Sequence, residues 1–284
     1  MRRAFVLTVM LVSAAAFLAS CKKKQDVEAD KAAVRDLVEK DTAYFVNGST
    51  SHDSAGGSFM DADTAVAWWR SAQTHDSAPG IEVGVSGDSA WVDFSQHNYG
   101  WFHVLVLPPG ETLQLWNKPL SENTHLRAIY LRTGDSDDSA RGWKLNKISL
   151  FTGQSDSTHT VQVDSLTIGS SLRSILIADP LNTFYNIDTM VTFTPGESLT
   201  VTLYTNATSG KAFLHTFMLV WPFYVRVPFT DMGNGVFQGN WHAPIVQSVR
   251  FAIFDLMARS TIYGHGMPYD FNGWLLPYKI KTAD

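Results

Sequence analysis

Two different spacings of apolar residues divide the chain. Between Asp26 and Val46 the apolar positions Val27, Ala33, Val34, Leu37, Val38 and Phe45 recur every three or four residues with charges between them, which predicts a helix ending at Asn47-Gly48. Val66, Trp68, Trp69 and Ala72 suggest a second helix over Asp61 to Gln73, with Asp61 or Asp63 as its cap. From Ile81 onward the spacing changes to two. Ile81 to Val85, Ala90 to Phe94, Trp101 to Leu107, Leu126 to Leu131 and Trp143 to Leu150 all read as strands. Beyond the polar stretch TGQSDSTHT (residues 152–160) no helix is predicted. Nine further short runs, from Thr160 to Ile168 through to Leu275 to Ile280, alternate between turns rich in Gly, Pro and Asn. Asp-Ser occurs seven times, mostly between these runs, where short side chains bond their own backbone and favour turns.

This pattern predicts two modules. Residues 27–152 read as an α+β domain, with helices covering one face of a curved antiparallel sheet, and residues 158–282 as an all-β sandwich. Gly87-Asp88-Ser89-Ala90-Trp91-Val92 and the closing strand Gly142 to Ile148 give the first module a resemblance to the nuclear transport factor 2-like or cystatin-like cone fold. The run VTFTPGESLTVTLYTNATSGKAFLHTF resembles part of an immunoglobulin-like sandwich, without the Cys pair and central Trp of antibody domains.

Residues 1–20 carry Arg2 and Arg3 followed by an apolar run from Ala4 to Leu18, the layout of a secretory signal and short for a membrane span. The signal ends in Leu18-Ala19-Ser20-Cys21, which resembles the lipobox of bacterial lipoproteins. The resemblance implies cleavage before Cys21, acylation of that side chain, and a tether over residues 21–26. Lys22, rather than Asp, then favours the outer membrane over the inner one, facing either the periplasm or the exterior. Cleavage also removes two arginines and no acidic residue, which moves the formal charge from −5 to −7. A chain this acidic lacks the broad basic face that nucleic acid requires. The single Cys excludes a disulfide framework and cysteine-rich metal sites.

Candidate chemistry is sparse. There is no G-x-S-x-G elbow, and none of the nine histidines has metal-ligand spacing, so neither catalysis nor a cofactor or metal is expected. Two groups stand out. On a strand, His97, Tyr99, Trp101 and His103 share one face, and in a cone fold that face lines a pocket able to bind or isomerise a small ligand. Alternatively, Gly100 breaks the strand and the rings pack under the helices. The second group is the glycine-rich loop Tyr263 to Trp274, with Tyr263, His265, Tyr269 and Trp274, whose rings would form a sugar-binding platform if exposed and would close the sandwich if buried. The resulting expectation is a non-catalytic, lipid-anchored envelope protein that binds or scaffolds a protein partner. Glycan or peptidoglycan binding through the loop, and a ligand or enzymatic pocket in the first module, are the alternatives.

Overall fold

The computed structural model describes residues 26–41, 43–45, 65–71, 74–75, 78–217, 224–247 and 249–281. In chain order these form a helix α1 over residues 26–40 and the strands β1 (Ala65–Arg70), β2 (Thr74–His75), β3 (Gly80–Ser86), β4 (Ser89–Val106), β5 (Gln114–Arg132), β6 (Trp143–Ile148) and β7 (Phe151–Ser155). Then follow β8 (Val163–Gly169), β9 (Ser174–Ile177), β10 (Tyr185–Asn186), β11 (Thr192–Phe193), β12 (Ser198–Thr205), β13 (Gly210–Phe217) and β14 (Tyr224–Pro228). The chain closes with β15 (Thr230–Gly233), β16 (Val236–His242), β17 (Val249–Ala258), the short helix α2 (Arg259–Tyr263) and β18 (Phe271–Ile280).

Strands hold 57% of the described residues and helices 11%, which overturns the α+β reading of the N-terminal half: the fold is all-β and sandwich-like. The segment expected to be the second helix, Asp61 to Gln73, contributes β1 instead, paired antiparallel to β4 with Trp69 opposite His103. Its buried residues Ala65, Trp68 and Arg70 sit against half-buried Ala67 and Trp69, and bulky rings in so short a run favour the pleated surface over a helix. The first helix is present, but it stops at residue 40. There Asp41 Oδ1 accepts from the Ala43 and Tyr44 amides, 2.9 and 3.1 Å away, and turns the chain.

Two sheets carry the molecule. The larger runs β1-β4-β5-β7-β18-β17-β13-β14, with β2 and β3 also paired to β4, β6 to β5, β10 to β6, and β11 parallel to β18. The smaller runs β15-β16-β12-β8-β9. The sheet takes in the start of the polar stretch at 152–160, because β7 (Phe151–Ser155) pairs with β5 on one side and β18 on the other. A separate helix-on-sheet layer is therefore not what the first half builds. The predicted runs Ala90 to Phe94 and Trp101 to Leu107 fuse into β4, an uninterrupted 18-residue strand that passes straight through Gly100.

One face of the large sheet packs on the small one. Leu199, Val201, Leu203, Phe237 and Trp241 meet Leu214, Phe254, Leu256, Leu276 and Tyr278, and the rings of Phe193, Trp241 and Tyr278 interlock at centroid distances of 5.1 to 5.6 Å. The other face curls round a second core. Arg226 on β14 donates to the Trp68 carbonyl on β1 (3.2 Å), joining the two ends of the strand order. At one end of the curl Val34 and Val38 of α1 and Phe45 just beyond it pack on Val92, Phe94, Leu126 and Phe151. At the other end Trp68, Phe102, Val104, Leu120, Phe213 and Phe271 form a further cluster. Strands β17 and β18 are thus buried on both faces, which is why FAIFDLMA has almost no polar alternation. The β15–β16 hairpin turns through Gly233-Asn234-Gly235, with Asn234 at φ 53° and Gly235 at φ 76°, as such a sequence demands.

Candidate functional site

The four residues singled out on β4 do share a face, and that face is the outer one. Even-numbered neighbours Gln96, Asn98, Phe102 and Val104 are buried within the curl, whereas Tyr99 and Trp101 remain 43% and 49% exposed. Neither expectation for this strand holds in its original form: Gly100 does not break it, and among the described residues the rings line no interior pocket and pack under no helix. Register with β5 places Asn123, Ser121, Pro119 and Asn117 beside His97, Tyr99, Trp101 and His103 in turn. A ring row is thereby flanked by a polar row.

Both imidazoles are held in place. His103 stacks on Trp69 at 5.0 Å and 22°, and its Nδ1 lies 2.6 Å from the Asn117 side-chain oxygen, an acceptor that assigns the proton to Nδ1. His97 Nε2 is 2.7 Å from Asp156 Oδ2 and 2.9 Å from Ser121 Oγ, while Ser121 and Asn123 also donate to the Asp156 carboxylate. The trio Ser121, His97 and Asp156 is not a hydrolytic relay. In such a relay the carboxylate holds one ring nitrogen and the hydroxyl the other, but here both meet Nε2. The arrangement fixes a carboxylate and an imidazole at the edge of the ring row.

The second predicted group is split by the fold. Tyr269 and Trp274 are buried (2% and 4% exposed) and Tyr263 is half-buried under the Arg259 guanidinium, 4.7 Å from its ring. Only His265 is exposed, edge-on to Trp116 at 5.0 Å. The exposed platform expected from residues 263–274 is therefore not formed. His265 instead lines a cavity of about 410 Å³ with Leu115, Trp116, Asn117, Lys118 and Met267. Lys118 Nζ donates to the carbonyls of Ser260, Thr261 and Gly264 at 3.2, 2.6 and 2.7 Å, closing the C-terminal turn of α2, and burial pushes its ammonium down to about 8.

A buried ionic network that no motif or spacing singles out lies inside the curl. Arg70 Nη1 lies 2.9 Å from Asp255 Oδ2, and His215 Nε2 lies 2.8 Å from the same oxygen. Arg70 Nε donates to the Tyr269 hydroxyl (3.0 Å), which donates onward to Glu122 (3.1 Å). Arg226 covers the Trp68 ring at 3.3 Å, and Arg70 lies 4.9 Å from that of Phe271. Burial alone would raise the Asp255 carboxyl, yet the charges of Arg70 and His215 outweigh it and hold the group well below the ordinary carboxylate range. Burial pushes the Tyr269 phenol well up, so it stays a donor. These residues come from β1, β5, β13, β14, β17 and the loop before β18, and they tie the sheet's ends together across its interior. A signal existed: a lone Asp in FAIFDLMA and a lone His in AFLHTF are costly to bury without partners.

Cys21 lies outside the described residues. Among the described residues no three His, Cys, Asp or Glu side chains gather as a metal site, and no helix is long and apolar enough to cross a membrane. No protein-family model matches the chain, and neither curated proteins nor solved structures yield a match.

Proposed function

We propose that this chain is a lipid-anchored cell-envelope protein that acts by binding, without catalysis, and that its contact surface is the outer face of β4 and β5. The observation that carries the reading is the row His97, Tyr99, Trp101 and His103, solvent-facing and bordered by Asn117, Ser121, Asn123 and Asp156. Large rings left in water on a rigid strand forgo about 1.5 to 3 kcal/mol each of burial, which a bound partner would recover. The imidazoles are pinned by Asn117, Ser121 and Asp156, so little side-chain freedom remains to be lost on binding. The lipobox-like Leu18 to Cys21 supports the anchor, and the acidic body supports a partner other than nucleic acid.

Two measurements test this. Replacing Cys21 with Ala should shift the protein from the membrane fraction to the soluble envelope fraction and abolish incorporation of labelled palmitate; continued membrane retention would remove the anchor from the account. A photo-reactive side chain at position 99 should give adducts in intact envelopes, whereas one at position 204, on the small sheet and 44% exposed, should give none. Equal labelling from both sites would contradict the assignment of the surface.

A further inference from the structure

The tethered end of the molecule is fixed by contacts on the helix. Asp30 of α1 is bound by Arg132 and Arg141, with Arg141 Nε 2.7 Å from Asp30 Oδ1, and Asp26 lies 3.8 Å from Arg141. The first turn of the helix therefore sits where β5 ends, beside Asp88, whose carbonyl accepts the Arg132 amide at 2.9 Å. Four residues separate Cys21 from Asp26, and the five steps between them reach at most about 18 Å. From Asp88 the ring row lies nine to fifteen residues further along β4, about 30 to 50 Å at about 3.3 Å per residue. An acyl anchor at Cys21 would thus attach near the open end of the long β4–β5 hairpin, with the row partway along it towards the tip.

The row's chemistry narrows what meets it there. Tyr99 and Trp101 present flat faces, the Asn117 and Asn123 amides and the Ser121 hydroxyl stand beside them, and Asp156 supplies a carboxylate. No Lys or Arg belongs to the row or to its β5 neighbours at 117, 119, 121 and 123. A phosphate-bearing lipid headgroup would meet the Asp156 carboxylate with no Lys or Arg of these strands beside it. Sugar rings fit instead: their C–H faces stack on aromatic planes while hydroxyl and acetamido groups exchange hydrogen bonds with amides and carboxylates. The span from residue 97 to 103, about 20 Å, is long enough for several units of a polymer. Resting on the binding-module reading above, we infer that the outer face of β4 and β5 binds the glycan strands of the cell wall, N-acetylated hexosamine polymer.

The test uses the full chain carrying Cys21→Ala, so that no acyl group inserts into lipid, sedimented with purified sacculi in detergent-free buffer and competed with a tetrasaccharide of N-acetylglucosamine or with vesicles of anionic phospholipid. The expected result is saturable retention that the tetrasaccharide displaces, that vesicles leave intact, and that Tyr99→Ala with Trp101→Ala weakens about tenfold or more. Because both rings are half-exposed, the variant keeps its core, which circular dichroism checks. Retention unchanged in a folded variant, or displaced by vesicles alone, overturns the glycan assignment. In that event the photo-reactive side chain at position 99 separates the two claims: adducts with an envelope protein would keep the contact surface and change its ligand, while no adduct would end both.

Discussion

Arg70 and Asp255, 185 residues apart in sequence, meet as an ion pair of 2.9 Å with neither side chain exposed to solvent. Together with the Arg226 bond to the Trp68 carbonyl, this pair ties β1 to β17 and β14 across the interior of the curled sheet. The curl leaves the other face of β4 turned to water, which is where the ring row stands. The buried charges and the exposed rings are two consequences of the same strand alternation.

Arg70→Met leaves the buried Asp255 carboxylate with His215 as its partner among the described residues, and should cost about 3 to 5 kcal/mol in urea unfolding. Adding Asp255→Leu should lose less than the sum of the single changes, with a coupling of about 1 to 3 kcal/mol. Strict additivity in this double-mutant cycle would mean that the pair does not act as a unit.

Acid should act on the same contacts. Burial raises the Asp30, Glu197 and Asp255 carboxyls, but the hydrogen bonds and charges of Arg141 and Arg132, of Ser170, Thr194 and Arg173, and of Arg70 and His215 outweigh it, so all three sit below their ordinary values. The unfolded chain then takes up protons first. The stability these groups supply is complete at neutral pH and is lost as pH falls below about 4.5 towards the lower folded values. Urea midpoints should drop between pH 7 and pH 3.5, and should drop less in Asp30→Asn; an equal fall in both proteins would remove Asp30 from the explanation.

Two glycines separate tight packing from mere proximity. A Cβ on Gly273 would lie 2.7 Å from Phe271 Cζ and 3.1 Å from Asp255 Oδ1, inside the curl, where neither the buried ring nor the ion pair can retreat. Gly273→Ala should cost about 1 to 3 kcal/mol. A Cβ on Gly84 would come within 2.0 Å of the Trp91 indole, but that ring is 52% exposed and can swing into water. Gly84→Ala should therefore cost under about 0.5 kcal/mol and red-shift the tryptophan emission; a large loss there would show that the indole is fixed.

Lys118→Met keeps the apolar stem but leaves the carbonyls of Ser260, Thr261 and Gly264 without their ammonium donor. About 1 to 3 kcal/mol should be lost, and amide hydrogen exchange should quicken across residues 260–267. Unchanged exchange would mean that the turn is held by its own backbone bonds, such as the Gly264 amide to the Ser260 carbonyl at 2.9 Å.

Much of the strand content was legible, because period-two alternation survives wherever one face is wet: β12 read correctly from spacing alone, and both halves of β4 did, though not their fusion through Gly100. The same spacing placed His97, Tyr99, Trp101 and His103 on one face, but could not say which face, since ring-bearing and apolar residues occupy both sides of β4. Ala65 to Arg70 failed because six residues with two adjacent tryptophans fit either period, and pairing with β4 decided the matter. Tyr269 and Trp274 are buried by partners far along the chain, Arg70 and the small sheet, which no local pattern announces. The Arg70–Asp255 pair is illegible for the same reason: its two members share no segment, no motif and no period.

The most direct test of the binding surface is tryptophan fluorescence of the full chain titrated with the N-acetylglucosamine tetrasaccharide, in the natural protein and in Trp101→Ala. The account predicts a saturable emission change in the first and its loss in the second, with the far-ultraviolet dichroism of the two superimposable. A titration curve that persists unaltered without Trp101, or a natural protein whose emission never responds, would contradict it.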